Sequence, residues 1–250
     1  VSKANSILLL EGDAEAQLLA DAQAILEAVL PIPDVQLKRA WATRPDWLDP
    51  LAAAPPAALR RQGLLPDLDP RELLAQDHLL VVIAFLPAIA MPALVHKDGG
   101  GFLAHRGLRA QWSSANAGII AAECTEQAAL DPGAAALALE PVIESLQARG
   151  SAVALCTAFR HVNEPLEHRS RVGAVSLREQ IRRCNLEVAG LSRRTGCFVL
   201  DLDRPLAQEG GAALPADCFG GGERAAELAL DEFAALVLDA LPDAALMEGA

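Results

Sequence analysis

The sequence predicts an α/β protein in three layers, a mostly parallel sheet of five strands with helices on both faces. Three observations carry this. Short apolar runs of strand length recur at 7–10 (ILLL), 78–85 (HLLVVIAF) and 152–157 (AVALCT), as strands buried on both faces require. Stretches with apolar residues at helical spacing, 13–29, 132–149 and 176–194, lie among them. Strand and helix alternate along the chain with no internal repeat, which calls for parallel pairing through crossovers.

Each element follows from local signals. After the first strand, Gly12-Asp13 makes a turn, and Asp13 is placed to cap a helix whose apolar face carries Leu18, Leu19, Ala22, Ile25, Leu26 and Val29. Pro31 and Pro33 stop it, and 35–43 (VQLKRAWAT) alternates as a second strand. Residues 45–70 are rich in proline and alanine and read as a loop with a short helix near 57–62. The run 78–85 is the third and central strand. Beyond it, Asp98-Gly99-Gly100-Gly101 separates two short arms, so a β-hairpin excursion is expected over 93–112. Residues 116–127 and 132–149 read as helices. The fourth strand is 152–157, the next helix runs over 176–194 to Gly196, and 197–202 (CFVLDL) is the fifth strand. A last helix is expected over 223–241, with 242–250 as a frayed tail. The whole of 1–250 is expected to be one domain.

Composition limits function. Among 250 residues, 52% are hydrophobic and 22% charged, the balance of a globular protein. A net charge of −12 leaves no basic surplus to neutralise phosphates, so nucleic acid is not an expected partner. The opening apolar run is too short for a signal peptide and no later run reaches membrane-spanning length. Five dispersed cysteines without CxxC or CxxxC spacing point to reduced thiols and a cytoplasmic setting. No Gly-x-Gly-x-x-Gly follows a strand, Gly220-Gly221-Gly222 lacks the Lys-Ser/Thr of a P-loop, and the histidines show no HxH or HxxxH spacing. No cofactor or metal is expected.

In a doubly wound sheet, ligands bind at the carboxyl ends of the strands. The loops there carry the polar residues. Asp98 and His105 lie in the expected hairpin, Arg160 and His161 follow the fourth strand, and Asp203 and Arg204 follow the fifth. Imidazole with carboxylate suits general acid–base work, which makes His105, His161 and Asp203 candidate catalytic residues. Arginine suits an anionic group, so Arg160 and Arg204, with Gly12, Asp13 and Asp98, are candidate ligand-binding residues. The competing reading makes them caps and surface ion pairs. Ser113 and Ser114 read as a helix N-cap, the alternative being a displaced nucleophile. Arg178, Arg182, Arg183, Arg193 and Arg194 read as a solvated helix face, supported by Glu179 four residues before Arg183.

The layout resembles the SGNH/GDSL hydrolase superfamily, flavodoxin-like esterases and acyl-group hydrolases. ILLLEGDA (7–14) is similar to the opening block in which Gly-Asp-Ser supplies that family's nucleophile. LEPVIESLQARGSAVALCTAFRHV (139–162) and NLEVAGLSRRTGCFVLDLDRPLAQEG (185–210) are similar to its later helix-and-strand segments. Asp217 stands where its closing Asp-x-x-His motif begins, which adds Asp217 to the ligand-binding candidates. The resemblance implies ester hydrolysis or acyl transfer on an acylated or carbohydrate-type ligand, as in polysaccharide modification. The chain departs from the pattern at three places: position 14 is Ala, position 220 is Gly, and Phe85 runs into LPAIAMP without a Gly-x-Asn-Asp block. The implied function therefore divides between hydrolysis by a non-standard site and an inactive fold that binds a ligand, a protein partner or a second copy of the chain.

Overall fold

A computed structural model of the protein describes residues 6–11, 19–30, 35–41, 70–84, 93–97, 101–103, 118, 121–127, 131–158, 175–209 and 222–241. In chain order these form β1 (Ser6–Glu11), α1 (Ala22–Val29), β2 (Gln36–Trp41), α2 (Pro70–Leu74), β3 (Leu80–Ala84), β4 (Ala93–His96), β5 (Gly101–Leu103) and β6 (Cys124–Gln127). Then follow α3 (Pro132–Ala148), β7 (Ala152–Cys156), α4 (Leu177–Thr195), β8 (Phe198–Leu200), α5 (Asp203–Gln208) and α6 (Gly222–Ala240).

Five strands make one sheet in the order β2-β1-β3-β7-β8, every neighbouring pair parallel. Because side chains alternate across a strand, each apolar run serves two cores. Ile7, Leu9, Leu80, Val82, Ala154 and Cys156 face α1 and α6, packing with Leu26, Ala225, Ala229 and Phe233. Leu8, Leu10, Val81, Ile83, Val153 and Leu155 face the other way, against Leu73 and Leu74 of α2, Leu139 and Ile143 of α3, and Val188 and Leu191 of α4. Among the described residues, Phe233 is the largest fully buried side chain. Alanines 225 and 229, two and one turns before it, let α6 approach closely.

Helix ends follow their local chemistry. Asp131 accepts a hydrogen bond from the Ala134 N–H at 3.1 Å, with Pro132 in the first turn of α3. Ser176 accepts from the Glu179 N–H at 3.2 Å to start α4, and Gly196, at φ 70°, ends it in the left-handed conformation that suits glycine. The Glu179 carboxylate turns outward to Arg182 at 2.9 Å and Arg183 at 3.0 Å, which hold its pKa down to about 2. The basic face of α4 is in this part a solvated ion-pair cluster.

Four local expectations change. Residues 124–127 are not helical: they form β6, which pairs with β4, and β4 also pairs with β5, giving a separate three-stranded antiparallel sheet. Backbone pairing with β4 there overrides the helical propensity of the alanine- and glutamate-rich run. Pro70 opens α2 rather than ending a loop, since a proline at a first helical position loses no hydrogen bond. Residues just past β8 form α5. Leu80, not His78, begins β3. The cap expected at Asp13, the helix near 57–62, and residues 104–112 of the expected hairpin lie outside the described residues.

His78 sits at the amino edge of the sheet, and 3% of it is exposed. Its Nε2–H donates to the Leu73 carbonyl at 2.7 Å, so the neutral ring offers Nδ1 as acceptor to the Ser6 hydroxyl at 2.9 Å. The Ser151 hydroxyl donates to the His78 carbonyl at 2.8 Å. One residue thus ties the starts of β1, β3 and β7 together. Burial is the main force pushing the His78 pKa down. Lys38 and Arg149 add to this, while the Leu73 bond and Asp77 oppose it. The folded state then binds fewer protons than the unfolded chain below the ordinary value of 6.5, so stability is full above that pH and declines as pH falls through it. His78→Ala is expected to cost about 2–4 kcal/mol at pH 7.5, leaving Leu73 O and Ser6 Oγ unpaired. It should also flatten the loss of stability between about pH 6.5 and 5, measured by urea denaturation.

Candidate functional site

In β1, polar side chains stand only at the strand's two ends, and the order β2-β1-β3 makes the carboxyl ends of β1 and β3 a topological switch point. Glu11 closes β1 there, in register with Trp41 on one side and Ala84 on the other. It follows four leucine or isoleucine residues and is 7% exposed. Arg39 of β2 answers it, with Nη1 donating to Oε1 at 3.1 Å and Oε2 at 3.0 Å. The Arg39 Nη2 donates to the carbonyls of Leu19 and Ala20, the latter at 3.1 Å. One guanidinium therefore holds both sides of the segment 12–18. Burial pushes the Glu11 carboxyl above the usual carboxylate range, and the charge and hydrogen bonds of Arg39 work against that rise.

Farther along the same edge, Thr157 and Asp201 join the ends of β7 and β8. The Thr157 hydroxyl donates to Asp201 Oδ1 at 2.9 Å and accepts from the Asp203 N–H at 3.2 Å, while the Arg204 N–H also reaches Asp201 Oδ1 at 3.3 Å. This cluster starts α5. Asn185 of α4 grips the main chain beyond β7: its Nδ2 donates to the Ala158 carbonyl at 2.7 Å and its Oδ1 accepts the Ala158 N–H at 2.8 Å.

Among the residues expected from sequence, Asp203 and Arg204 are placed by the structure at the start of α5. They follow β8, which stands three strands from β1, about 14 Å at ordinary strand spacing. The Arg204 guanidinium is mostly exposed and turns to Glu232 of α6 at 3.4 Å. Gly12, Asp13, Asp98, His105, Arg160, His161 and Asp217 lie outside the described residues, as do Ala14, Ser113, Ser114 and Gly220. His96 closes β4, in register with Cys124.

Sequence reasoning passed over Glu11, Arg39, Thr157 and Asn185. The first had a visible signal, a carboxylate ending an apolar strand just before a turn. The others are ordinary polar residues whose meaning comes from pairing across the fold. The described cysteines carry no disulfide. Burial pushes the Cys184 thiol up to about 12 and raises Cys197, and Cys156 is fully buried, which makes these thiols core residues rather than nucleophiles. Among the described residues, no three His, Cys, Asp or Glu gather as a metal site, and no helix is long and apolar enough to cross a membrane.

No family model matches the sequence, and no curated protein matches it. Solved structures do match the fold. A candidate SGNH hydrolase from Slackia heliotrinireducens superposes with a TM-score of 0.55 at 14% identity, covering 94% of this chain and 100% of that one. The lipase/acylhydrolase from Enterococcus faecalis gives 0.56 at 15% identity, over 95% and 97%. Axe2, an acetylxylan esterase from Geobacillus stearothermophilus, gives 0.53 at 12% identity, over 91% of each chain. The chain has an SGNH/GDSL-like α/β fold.

Arg39→Met leaves Glu11 buried beside nothing positive from β2. At pH 7 it is expected to cost about 2–3 kcal/mol. The deficit should shrink as pH falls, because protonation of Glu11 removes the buried charge. In the native protein the same raised pKa means that folding takes up a proton above the ordinary value of 4.5, so the Glu11 contribution weakens as pH rises through that window. Urea titrations of both proteins between pH 4.5 and 8 check the two signs together.

Proposed function

We propose that the protein acts on an acylated, carbohydrate-type ligand at the carboxyl edge of its sheet, by ester hydrolysis or acyl transfer through a non-standard site. The observation that carries this reading is the SGNH/GDSL-like fold with its switch point between β1 and β3. Solved structures of that fold include an acylhydrolase and acetylxylan esterases. A serine mechanism needs a nucleophile, a base for its proton and donors for the oxyanion. With Ala14 and Gly220 at the positions implied for nucleophile and base, the proposed chemistry falls to other groups. His105, His161 and Asp203 are the proposed acid–base set. Gly12, Asp13, Asp98, Arg160, Arg204 and Asp217 are the proposed ligand contacts.

Ala14 and Gly220 favour a second reading, a binding protein that keeps the fold without the reaction. A catalytic mutant of Axe2, carrying alanine for a serine, superposes on this chain with a TM-score of 0.52. Both readings meet in one experiment. The protein is incubated with p-nitrophenyl acetate, with acetylated xylan and with a serine-directed fluorophosphonate. Under the first reading acetate is released above the uncatalysed rate, and His105→Ala or His161→Ala lowers kcat at least about tenfold, within the range set by general acid–base catalysis. Covalent labelling that disappears in Ser113→Ala or Ser114→Ala identifies a displaced nucleophile. Neither turnover nor label leaves the binding reading.

A further inference from the structure

We infer that Gln180, on the inward face of α4 beyond the carboxyl edge of the sheet, is a ligand contact that accepts a hydrogen bond from a neutral hydroxyl. The apolar stripe of α4 runs through Leu177, Ile181, Cys184, Val188 and Leu191, and Gln180 interrupts it. Only 7% of Gln180 is exposed, and among the described residues its Oε1 finds no hydrogen-bond donor. Leaving a buried amide oxygen unpaired opposes folding, so folding alone gives no reason for glutamine here. An apolar residue would continue the stripe at no such cost.

Position argues for a ligand. α4 ends at Thr195, just before β8 begins, and its 19 residues extend about 28 Å. The five residues of β7 span about 17 Å. Asn185 bonds Ala158, already two residues past β7, so Gln180 lies a further five residues towards the α4 N-terminus, about 7.5 Å along the axis. It stands above the sheet, on the side where α/β folds bind ligands.

The chemistry of the donor follows from the surroundings. Gln180 lies in the first turns of a long helix, whose N-terminus disfavours cations. A buried ammonium would also need a counter-charge that an amide does not supply. A hydroxyl suits the amide, because it can donate to Oε1 and accept from the amide N–H. This choice of ligand class rests on the carbohydrate-type reading proposed above.

The test compares the wild-type protein with Gln180→Met, a side chain of similar length without the acceptor. Thermal melts are recorded alone and in titrations with xylo-oligosaccharides, both acetylated and fully deacetylated. The expected result is that Gln180→Met raises Tm by about 2–4 °C and weakens binding of both sugars at least about tenfold. Because the deacetylated sugar keeps the hydroxyls and has no ester, its Gln180-dependent binding tests this contact even if no ester is turned over. Ester turnover is scored separately and bears on the proposed reaction. A lower Tm in Gln180→Met would make Gln180 a structural residue and overturn the inference. So would wild-type protein that binds neither sugar, or equal binding by the two proteins.

Discussion

A parallel sheet covered on both faces confines polar chemistry to its two ends. Every residue of β1 and β3 is buried, and successive side chains enter opposite cores, so a charged group within either strand would meet hydrocarbon on whichever side it faced. The sheet therefore depends on how the ends of its strands are finished. Both ends are polar, but they are finished differently.

At the amino end, Ser6, His78 and Ser151 bond one another or one another's main chain, and Arg149 reaches the carbonyls of Leu74 and Gln76. This is a seam that fixes register and uses its donors and acceptors internally. The carboxyl end is finished more unevenly. Thr157, Asp201 and Asn185 are paired across elements, Glu11 is held by Arg39 despite the cost of burying its charge, and Gln180 keeps an acceptor unmatched among the described residues. Groups that oppose folding sit at the end where this fold class places its ligands. The two edges thus differ in how completely their described polar groups are paired.

Much of the fold was legible because local and global signals agreed. The runs at 7–10 and 152–156 are apolar without interruption, as double burial demands, and Asp131, Ser176 and Gly196 announce helix ends by mechanisms that act within a few residues. Elements decided by distant contacts were not legible. Residues 124–127 become a strand only because β4 offers its backbone, and α5 begins where Asp201 accepts the Arg204 N–H and Thr157, just past β7, accepts the Asp203 N–H. The candidate edge was legible from strand order, but the partners of its described side chains were not. Asp203 and Arg204 could be assigned to the end of the fifth strand from order alone, but the turn of Arg204 towards Glu232 required the packing of α6. Glu11 was readable as an oddity. Gln180 was not, since one glutamine in a helix becomes informative only when its burial is known.

The Arg39 guanidinium bonds Glu11 on one side and the carbonyls of Leu19 and Ala20 on the other. It therefore anchors both ends of the segment 12–18 from a residue outside that segment. The described bonds of this anchor come entirely from residues 11, 19, 20 and 39, so β1, β2 and the entry to α1 are tied together by groups that flank the stretch rather than belong to it.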